Sequence, residues 1–386
     1  MFKPKVESYN IGDTIKINDG DKLVVANRVS DQSIQYLGWD PELDNRDIAT
    51  DPEFVKAANP ESVAKALECT TATDWTDDPE EYDVTSENIA ETIENIKKGD
   101  ILKATEDIVL AEALQVPASK SFVLDLDGKT FTLSTEEHVE ALVNDGDITI
   151  KNGDVTAWKV VNNGSMTVEN TNFTCTAEAE SGACAIKNNG TLVVNSGTFN
   201  VPFEGSTSDE GGPACIRTSG ELTINGGTFT SNSKRTYCII QSEGNITVNE
   251  SDDLVINGVH GGIAVDGGNA VINGGNYTSS EYYGLYVSND FATAGVTVNG
   301  GTFTGKRYSV WVGSDEKTGV EAAVTINGGT FEKQLKDQSN VSAGWGTKLY
   351  GGNFKEEPVA DMIPEGYDVV FNEETQYYNV LPTNAE

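Results

Sequence analysis

"TINGGTF" stands at residues 223–229 and again, unchanged, at 325–331. Near-copies share its apolar residue, its glycine turn and its closing aromatic residue: VVNSGTF at 193–199, VINGGNY at 271–277, TVNGGTF at 297–303 and KLYGGNF at 348–354. Because glycine adopts positive φ values that a Cβ disfavours, each copy predicts a strand that bends sharply into a second strand. The recurrence of this one bend along the chain decides the fold.

The spacing of the repeat suits one coil of a solenoid. The copies align on the apolar residue before the bend, and the aligned residues are Leu126, Ile150, Val168, Val194, Ile224, Val248, Ile272, Val298, Ile326 and Leu349. The steps between them range from 18 residues (150 to 168) to 30 residues (194 to 224). Within a repeat, apolar and polar residues alternate with period two, as in GVTVNGGTF. This combination predicts an all-β chain wound into a parallel β-helix, with one coil per repeat.

Two stacks of equivalent side chains follow from such a solenoid. Successive coils lie about 4.8 Å apart, so side-chain amides at the bend can form a hydrogen-bonded ladder. We expect the ladder at Asn195, Asn225, Asn249, Asn273, Asn299 and Asn327. On the following strand we expect a column of aromatic rings at Phe199, Phe229, Tyr277, Phe303, Phe331 and Phe354.

Composition limits the classes of partner. The chain has 386 residues, a formal net charge of −35 and a pI near 4.2. Such a surface repels nucleic acid and anionic membranes, so we expect no nucleic-acid partner and no membrane partner. The N-terminal stretch MFKPKVESYN lacks the apolar region of a signal peptide. Five cysteines at irregular spacing indicate reduced thiols, so we expect synthesis in a cytoplasm.

Both ends of the predicted solenoid carry capping signals. Residues 86–98 predict an amphipathic helix with Ile89, Ile93 and Ile96 on one face, Thr85 or Ser86 as N-cap and Gly99 as C-cap. Such a helix covers the open apolar end of a solenoid. Residues 366–386 predict capping strands at the other end, which leaves residues 85–365 for the β-helix with its capping helix.

Residues 1–84 predict a small mixed α/β module before the solenoid. The stretch DTIKINDGDKLVVANR reads as a β-hairpin about Asp19-Gly20, and DPEF at 51 and NPES at 59 predict helix starts. We interpret this small, acidic region as an attachment module.

The run ILKATEDIVLAEALQVPASKSFVLDLDGKTFTL at 101–133 resembles the opening of right-handed parallel β-helices of the pectate-lyase-like superfamily. The shared features are a capping helix, a first strand, an LDLDGKTFTL rung and glycine-rich coils, over roughly residues 85–382. The resemblance implies a right-handed β-helix of the kind found in phage fibre, head-fibre and tailspike proteins. Such motifs specify architecture far more than activity.

A carboxylate pair is the first test for an enzyme on this fold. Polygalacturonase-like sites combine paired carboxylates with a Gly-His-Gly segment, and Asp252, Asp253 and His260 are the nearest match. The three lie too close together in sequence to occupy adjacent coils, and the matching Arg-x-Lys element is missing. A solvated turn with a lone histidine is the favoured interpretation.

Lyase and nucleophile chemistry have equally little support. DLDG at 125–128 lacks the further ligands of a calcium loop, and Lys306 with Arg307 is the best basic pair beside a coil. The only histidines are His138 and His260, so no nucleophile–histidine–aspartate set is visible. We expect no catalytic residue, no metal and no cofactor. Cys184 and Cys238 are predicted to lie inward at equivalent positions two coils apart.

One predicted sheet carries an apolar outer stripe. In each repeat, another strand precedes the strand that leads into the glycine bend. If residues along this preceding strand alternate strictly between inward and outward, its outward residues are Ala185, Cys215, Ile239, Ala264, Tyr286 and Trp311. Contiguous apolar surface of this kind usually marks an interface, here most simply that of a homotrimer. Two alternatives stay open: a loop such as 201–213 or 288–295 covers the stripe, or Tyr286 and Trp311 form a platform for stacking sugars.

These features together predict a phage virion structural protein, a fibre or decoration protein attached to the capsid or tail. Residues 1–84 would dock on other virion proteins, and the trimeric β-helix would decorate the particle or bind a host-surface glycan. The alternatives are a tailspike-like polysaccharide depolymerase and a bacterial surface adhesin with β-helix repeats.

Overall fold

The structure, a computed structural model, describes residues 79–133, 140–176, 182–204, 212–313 and 319–383, together with the backbone of four strands near the N-terminus. The chain divides into two compact units, Met1–Glu80 and Glu81–Glu386. No helix among the described residues is long and apolar enough to cross a membrane.

The first unit contains a sheet of four strands: Thr14–Asp19, Lys22–Ser30, Ser33–Tyr36 and Phe54–Val55. The first two strands pair antiparallel up to Asp19 and Lys22, which confirms the predicted hairpin. The predicted helix start at residue 51 is wrong, because Phe54–Val55 instead forms a strand that pairs in parallel with Ser33–Tyr36. Phe and Val both favour the pleated conformation, and the pairing stabilises it. The predicted start at 59 lies outside the described residues.

The second unit is a parallel β-helix, as predicted, with three strand positions in each coil. Sheet 1 contains Asp100–Ala104, Ser121–Asp125, the first parts of Asp147–Ala157 and Ser165–Cys175, then Thr191–Val194, Glu221–Ile224, Asn245–Val248, Gly268–Ile272, Ala294–Val298, Ala322–Ile326 and Gly346–Leu349. Glu81–Val84 adds to its first strand in parallel, so these residues belong to the solenoid unit.

Sheet 2 follows sheet 1 across the bend. It contains Ile108–Val109, Thr130–Thr132, the second parts of Asp147–Ala157 and Ser165–Cys175, then Gly197–Val201, Thr228–Ser231, Val255–Gly258, Asn276–Ser279, Thr302–Gly305, Thr330–Phe331 and Asn353–Phe354. The second glycine of the bend has positive φ, for example 109° at Gly227 and 103° at Gly329. The glycines therefore occupy the bend for the reason that the sequence indicates.

Sheet 3 completes each coil with ten strands: Leu114–Val116, Leu142–Asn144, Val160–Asn162, Cys184–Asn188, Ala214–Thr218, Tyr237–Gln241, Gly261–Val265, Tyr283–Val287, Tyr308–Val312 and Leu335–Asp337. Short 3₁₀ turns at Val341–Ala343 and Ala360–Met362 follow the last of these strands. The antiparallel pair Tyr367–Asn372 and Tyr377–Pro382 then adds to the end of sheet 2 through Asn353–Phe354. This is the predicted pair of strands at the C-terminal end.

The predicted amide ladder is confirmed in two runs. Asn225 donates to Asn195 at 2.7 Å, and Asn249 donates to Asn225 at 2.6 Å. Further along, Asn299 donates to Asn273 and Asn327 to Asn299, both at 2.8 Å. A second, fully buried ladder at the end of sheet 3 was not predicted: it joins Asn144, Asn162, Asn188 and Thr218.

The aromatic column in sheet 2 is confirmed with one interruption. Phe199 and Phe229 stack with their ring centroids 4.7 Å apart, and Tyr277 and Phe303 stack at 4.6 Å. Between Phe229 and Tyr277 the structure places a further coil that carries Ile256 at the column position. The column is fully buried and forms much of the core.

The capping helix α1 is shorter than predicted and spans Ile89–Asn95, with Asn88 as N-cap and Ile96 as C-cap. Thr85 and Ser86 are not caps, because they form the turn before the helix, in which the Thr85 backbone N–H donates to Asn88 Oδ1 at 2.8 Å. Gly99, with φ of 90°, lies in the turn that follows Ile96. Ile89, Ile93 and Ile96 are buried against the core as expected.

Candidate functional site

An aromatic patch lies on the outer face of sheet 3. It comprises two rows of side chains on four successive strands: Tyr237, Gly261, Tyr283 and Tyr308 in the first row, and Ile240, Ala264, Tyr286 and Trp311 in the second. Together with the neighbouring Tyr282, all of these residues except Gly261 form a hydrophobic cluster of their own, separate from the solenoid core. We call these nine residues the aromatic patch.

The two rows are three residues apart along each strand because the two residues between them both point into the core. Cys238 and Ile239 are both buried in the core, which places Tyr237 and Ile240 on the outer face. In the preceding coil the Cys215 thiol donates into the interior, to the Phe199 carbonyl oxygen at 3.4 Å. This bend breaks the period-two alternation on which the prediction depended.

The outward orientation assigned to Ala185, Cys215 and Ile239 is therefore wrong, since all three are core residues. The register pairs Ile216 with Ile239, so Ile240 occupies the outer row. The predicted equivalence of Cys184 and Cys238 is wrong for the same reason: Cys184 pairs with Ala214, one position earlier in the coil. Ala264, Tyr286 and Trp311 do share one outer row, as predicted.

The rings of the patch pack on one another. Tyr237 stacks on Tyr286 with ring centroids 5.3 Å apart, and Trp311 meets Tyr283 edge-to-face at 4.4 Å. Ala264 and Trp311 are thereby only 1% and 6% exposed, whereas Tyr286 and Tyr308 are half-buried. The outer surface of the patch thus consists of partly exposed tyrosine rings rather than an open apolar stripe.

Gly261 makes room for this packing. A Cβ at this position would lie 2.2 Å from the Cδ1 and Cε1 atoms of the Tyr237 ring, so the ring lies over the glycine of the next coil. Only a residue without a side chain leaves the first row open enough for Tyr237 to reach Tyr286.

A cationic edge borders the patch on the side where the chain enters sheet 3. His260, Tyr282 and Arg307 occupy the same position in three successive coils, directly before the first row. The His260 and Tyr282 rings are 4.4 Å apart, and the Arg307 guanidinium lies 4.3 Å above the Tyr282 ring. Arg235 lies two residues before Tyr237 in the coil below. We call Arg235 and Arg307 the cationic edge; the His260 ring lies between them along the stack of coils.

The protonation of His260 follows from its contacts. Its Nδ1 lies 2.9 Å from the Lys234 carbonyl oxygen, which can only accept, so Nδ1 carries the proton. Burial lowers the pKa of His260, and the nearby charges of Arg235 and Arg307 lower it further, against the hydrogen bond to Lys234. The neutral ring therefore keeps Nε2 as an acceptor.

A carboxyl group borders the second row on the opposite side. Asp266 follows Gly261–Val265 directly, and its Oδ1 accepts a hydrogen bond from Ser288 Oγ at 3.3 Å. Burial raises the pKa of Asp266 to about 6, and the negative charge of Asp290 adds to the rise, while Ser288 and Arg217 oppose it. A carboxyl group with such a pKa can exchange protons near neutral pH.

The carboxylates named from the sequence do not form a site with His260. Asp252 and Asp253 are exposed at the start of Val255–Gly258, whereas His260 follows the end of this strand. Four strand residues alone span on the order of 13 Å, which exceeds the separation of an acid–base pair in glycoside hydrolysis.

DLDG at 125–128 is a hydrogen-bonded turn. Asp125 Oδ1 accepts from the Asp127 backbone N–H at 3.0 Å and from Asn152 Nδ2 at 3.1 Å, and Lys151 Nζ lies 3.2 Å from Oδ2. Burial acts to raise the pKa of Asp125, but these contacts outweigh it and lower the pKa. Among the described residues, no group of three or more His, Cys, Asp or Glu is placed to hold a metal ion.

The cysteines in the described part of the chain are buried thiols: Cys175, Cys184, Cys215 and Cys238. Burial raises the pKa of Cys184 to about 12 and raises that of Cys215 as well. A thiolate nucleophile is therefore disfavoured at both positions. His138 and the fifth cysteine, Cys69, lie outside the described residues.

Sequence reasoning missed six of the nine residues of the patch. Tyr237, Tyr283 and Tyr308 begin three of four consecutive strands of sheet 3, in TYCII, YYGLYV and RYSVWV. This recurrence of tyrosine at the start of the strand, three residues before the predicted outer residue in the coils of Tyr286 and Trp311, was the available signal. Strict alternation concealed it, because the inward pair at the bend was not foreseen.

No family model matches this chain, and no curated protein or solved structure matches it either. What the patch can do follows from its own geometry.

Proposed function

We propose that this protein is a non-catalytic, surface-binding β-helix protein of the fibre type, which recognises a polysaccharide through the aromatic patch. The observation that carries the proposal is the cluster of partly exposed tyrosine rings on the outer face of sheet 3. In this account the protein is a phage virion fibre or decoration protein of pectate-lyase-like architecture, residues 1–84 dock on other virion proteins, and the ligand is a host-surface glycan.

The chemistry of the patch suits a sugar. The C–H face of a pyranose is apolar and packs on an aromatic ring, while its hydroxyl groups require polar partners at the ring edges. Tyrosine supplies both, an apolar body and a polar tip. Tyr282, Tyr286 and Tyr308 combine such rings with partial exposure on neighbouring coils.

The size of the patch favours a slender ligand over a protein. Four strands span about 14 Å along the solenoid, and two rows three residues apart are about 10 Å wide. The resulting footprint of about 150 Å² is far below the roughly 800 Å² that each partner buries in a stable protein interface. The homotrimer thus stays a prediction that would need further surface, whereas a short stretch of polysaccharide fits the patch.

The test is binding of the full chain to a panel of bacterial surface polysaccharides, with Tyr286→Ala as the patch variant. Tyr350→Ala is the matched control, because Tyr350 is a partly exposed tyrosine outside the patch, 40% exposed and edge-on to Tyr367. We expect one polysaccharide to bind the wild type and the control alike and Tyr286→Ala about tenfold more weakly, for the loss of one stacked ring. Equal binding by both variants would refute the proposal.

A depolymerase is the second candidate, and Asp266 is the observation that favours it. Its raised pKa and its proximity to Asp290 are typical of a general acid beside a second carboxylate. A reducing-sugar assay on the polysaccharide that binds decides between the two functions. Release of reducing ends by the wild type but not by Asp266→Asn would establish the enzyme, and bound but intact polysaccharide supports the non-catalytic protein.

A further inference from the structure

The cationic edge contrasts with the charge of the whole chain. The formal net charge is −35, with 61 acidic residues against 26 lysines and arginines. Arg235, His260 and Arg307 nevertheless lie close enough together for both arginines to lower the pKa of the histidine. A protein with this balance would ordinarily place carboxylates beside such a group.

Two acidic residues in the described part of the chain next to this edge are engaged by other cations. Glu281 pairs with Lys306 at 2.9 Å, and Glu204 pairs with Lys234 at 2.5 Å. Among the described residues, Arg307 forms no ion pair. Its guanidinium is instead held on the Tyr282 ring, which fixes a planar fork of donors at the border of the aromatic patch.

We infer that the polysaccharide recognised at the aromatic patch is an acidic one, whose carboxylate or sulfate groups are bound by Arg307 at the cationic edge. This inference rests on the proposed function, since it names the chemical class of the same ligand. The sugar rings pack on Tyr286 and Tyr308, and the anionic substituent reaches the cationic edge.

The geometry gives the edge a definite role. A guanidinium fork matches the two oxygens of a carboxylate, and charge-assisted hydrogen bonds are among the strongest that a protein surface offers. Arg307 is already oriented by Tyr282, so little side-chain freedom is lost on binding. The remaining surface repels polyanions, so that an acidic chain is attracted at the edge and disfavoured elsewhere.

The test compares one oligosaccharide with and without the negative charge of its carboxylate groups. Alginate oligosaccharides and their carboxyl methyl esters have the same ring sequence and differ in the anionic group. Binding to the full-length protein is measured by calorimetry at fixed ionic strength for the wild type, Arg307→Gln and Lys187→Gln. Lys187 is the control because it is an exposed cation on the outer face of sheet 3, four strands away from Tyr286.

We expect the acid to bind the wild type and Lys187→Gln about tenfold or more tightly than the ester does, and Arg307→Gln to remove this difference, as loss of a charge-assisted hydrogen bond requires. Equal affinity for acid and ester, with Tyr286→Ala lowering both, would overturn this inference and leave the proposed function standing. Failure of both probes to bind, with the patch variants no different from wild type on neutral polysaccharides, would remove the proposed function as well. Ligand-free self-association that Arg307→Gln abolishes would assign the edge to a second copy of the chain and also overturn the inference.

Discussion

Substituting Gly261 by Ala tests the packing of the aromatic patch directly. The new Cβ would lie 2.2 Å from two Tyr237 ring atoms, well inside the optimal separation of about 3.5–4.0 Å, so the ring must move by more than about 1 Å. That movement breaks its stack on Tyr286 at 5.3 Å and its edge contact with His260 at 4.9 Å. At about 0.5–1.5 kcal/mol for each ring contact, the loss is about 1–3 kcal/mol.

A gain on the unfolded side offsets part of this loss, because alanine restricts the unfolded chain and stabilises by about 0.4–1 kcal/mol. We therefore expect Gly261→Ala to lower the free energy of unfolding by about 1–2 kcal/mol in urea titrations, with a weaker near-ultraviolet circular dichroism band. Gly226→Ala is the control: its Cβ meets only the Asn195 carbonyl oxygen at 3.1 Å and Ser251 Oγ at 3.6 Å, and we expect a change within about 0.5 kcal/mol.

The same substitution in a Tyr237→Ala background isolates the cause. Without the ring there is nothing to displace, so Gly261→Ala should then be neutral or stabilising. If it costs as much in this background as in the wild type, the destabilisation comes from the backbone of Tyr283, whose carbonyl oxygen lies 3.1 Å away, and the packing account fails.

Three further predictions concern the core and the buried carboxyl group. Asn162→Ala should cost about 2–4 kcal/mol, because it removes the donor to the buried Asn188 Oδ1 and one acceptor of the buried Asn144 amide; a cost below 1 kcal/mol would show that water replaces them. Phe229→Ala should cost about 3–5 kcal/mol, whereas Phe291→Ala, at 66% exposure, should cost under about 0.5 kcal/mol, and similar values for the two would contradict the stacked core. Asp266 has a folded-state pKa of about 6, above the ordinary value of 3.8, so its stabilising contribution is complete below pH 3.8 and is lost as the pH rises through 6. Asp266→Asn should accordingly be more stable than the wild type by about 2–3 kcal/mol at pH 8 and not at pH 3.5, and an advantage independent of pH would refute the shift.

The bend residues explain why the architecture could be predicted from the sequence. Asn225 and Gly227 recur with their neighbours in coil after coil, and each type has a local reason to be there: an amide for the ladder and a residue that tolerates positive φ. Phe229 recurs because the same position is buried in each coil. Ile256 interrupts the column in the coil of Val248 and Asn249, where no glycine turn and aromatic residue follow the asparagine, so the sequence predicted no column residue there.

The site depended on tertiary features that period-two reasoning does not contain. Cys238 and Ile239 both turn inward at a bend, so the outer row shifts by one residue at Ile240 and the first row of tyrosines appears on the surface. The cationic edge around His260 arises only when turns of different sequence stack in register. Of the predicted stripe, Ala264, Tyr286 and Trp311 were placed correctly because they follow the strand in which Cys238 and Ile239 break the alternation.

Hydrogen–deuterium exchange of the full-length protein, with and without the polysaccharide that it binds, tests the central claim most directly. The account predicts slower exchange in sheet 3 at 235–241, 260–265, 282–287 and 307–312, and unchanged exchange on the outer faces of sheets 1 and 2. Protection confined to sheet 1 or sheet 2, in the presence of measurable binding, would contradict the assignment of the aromatic patch as the recognition site.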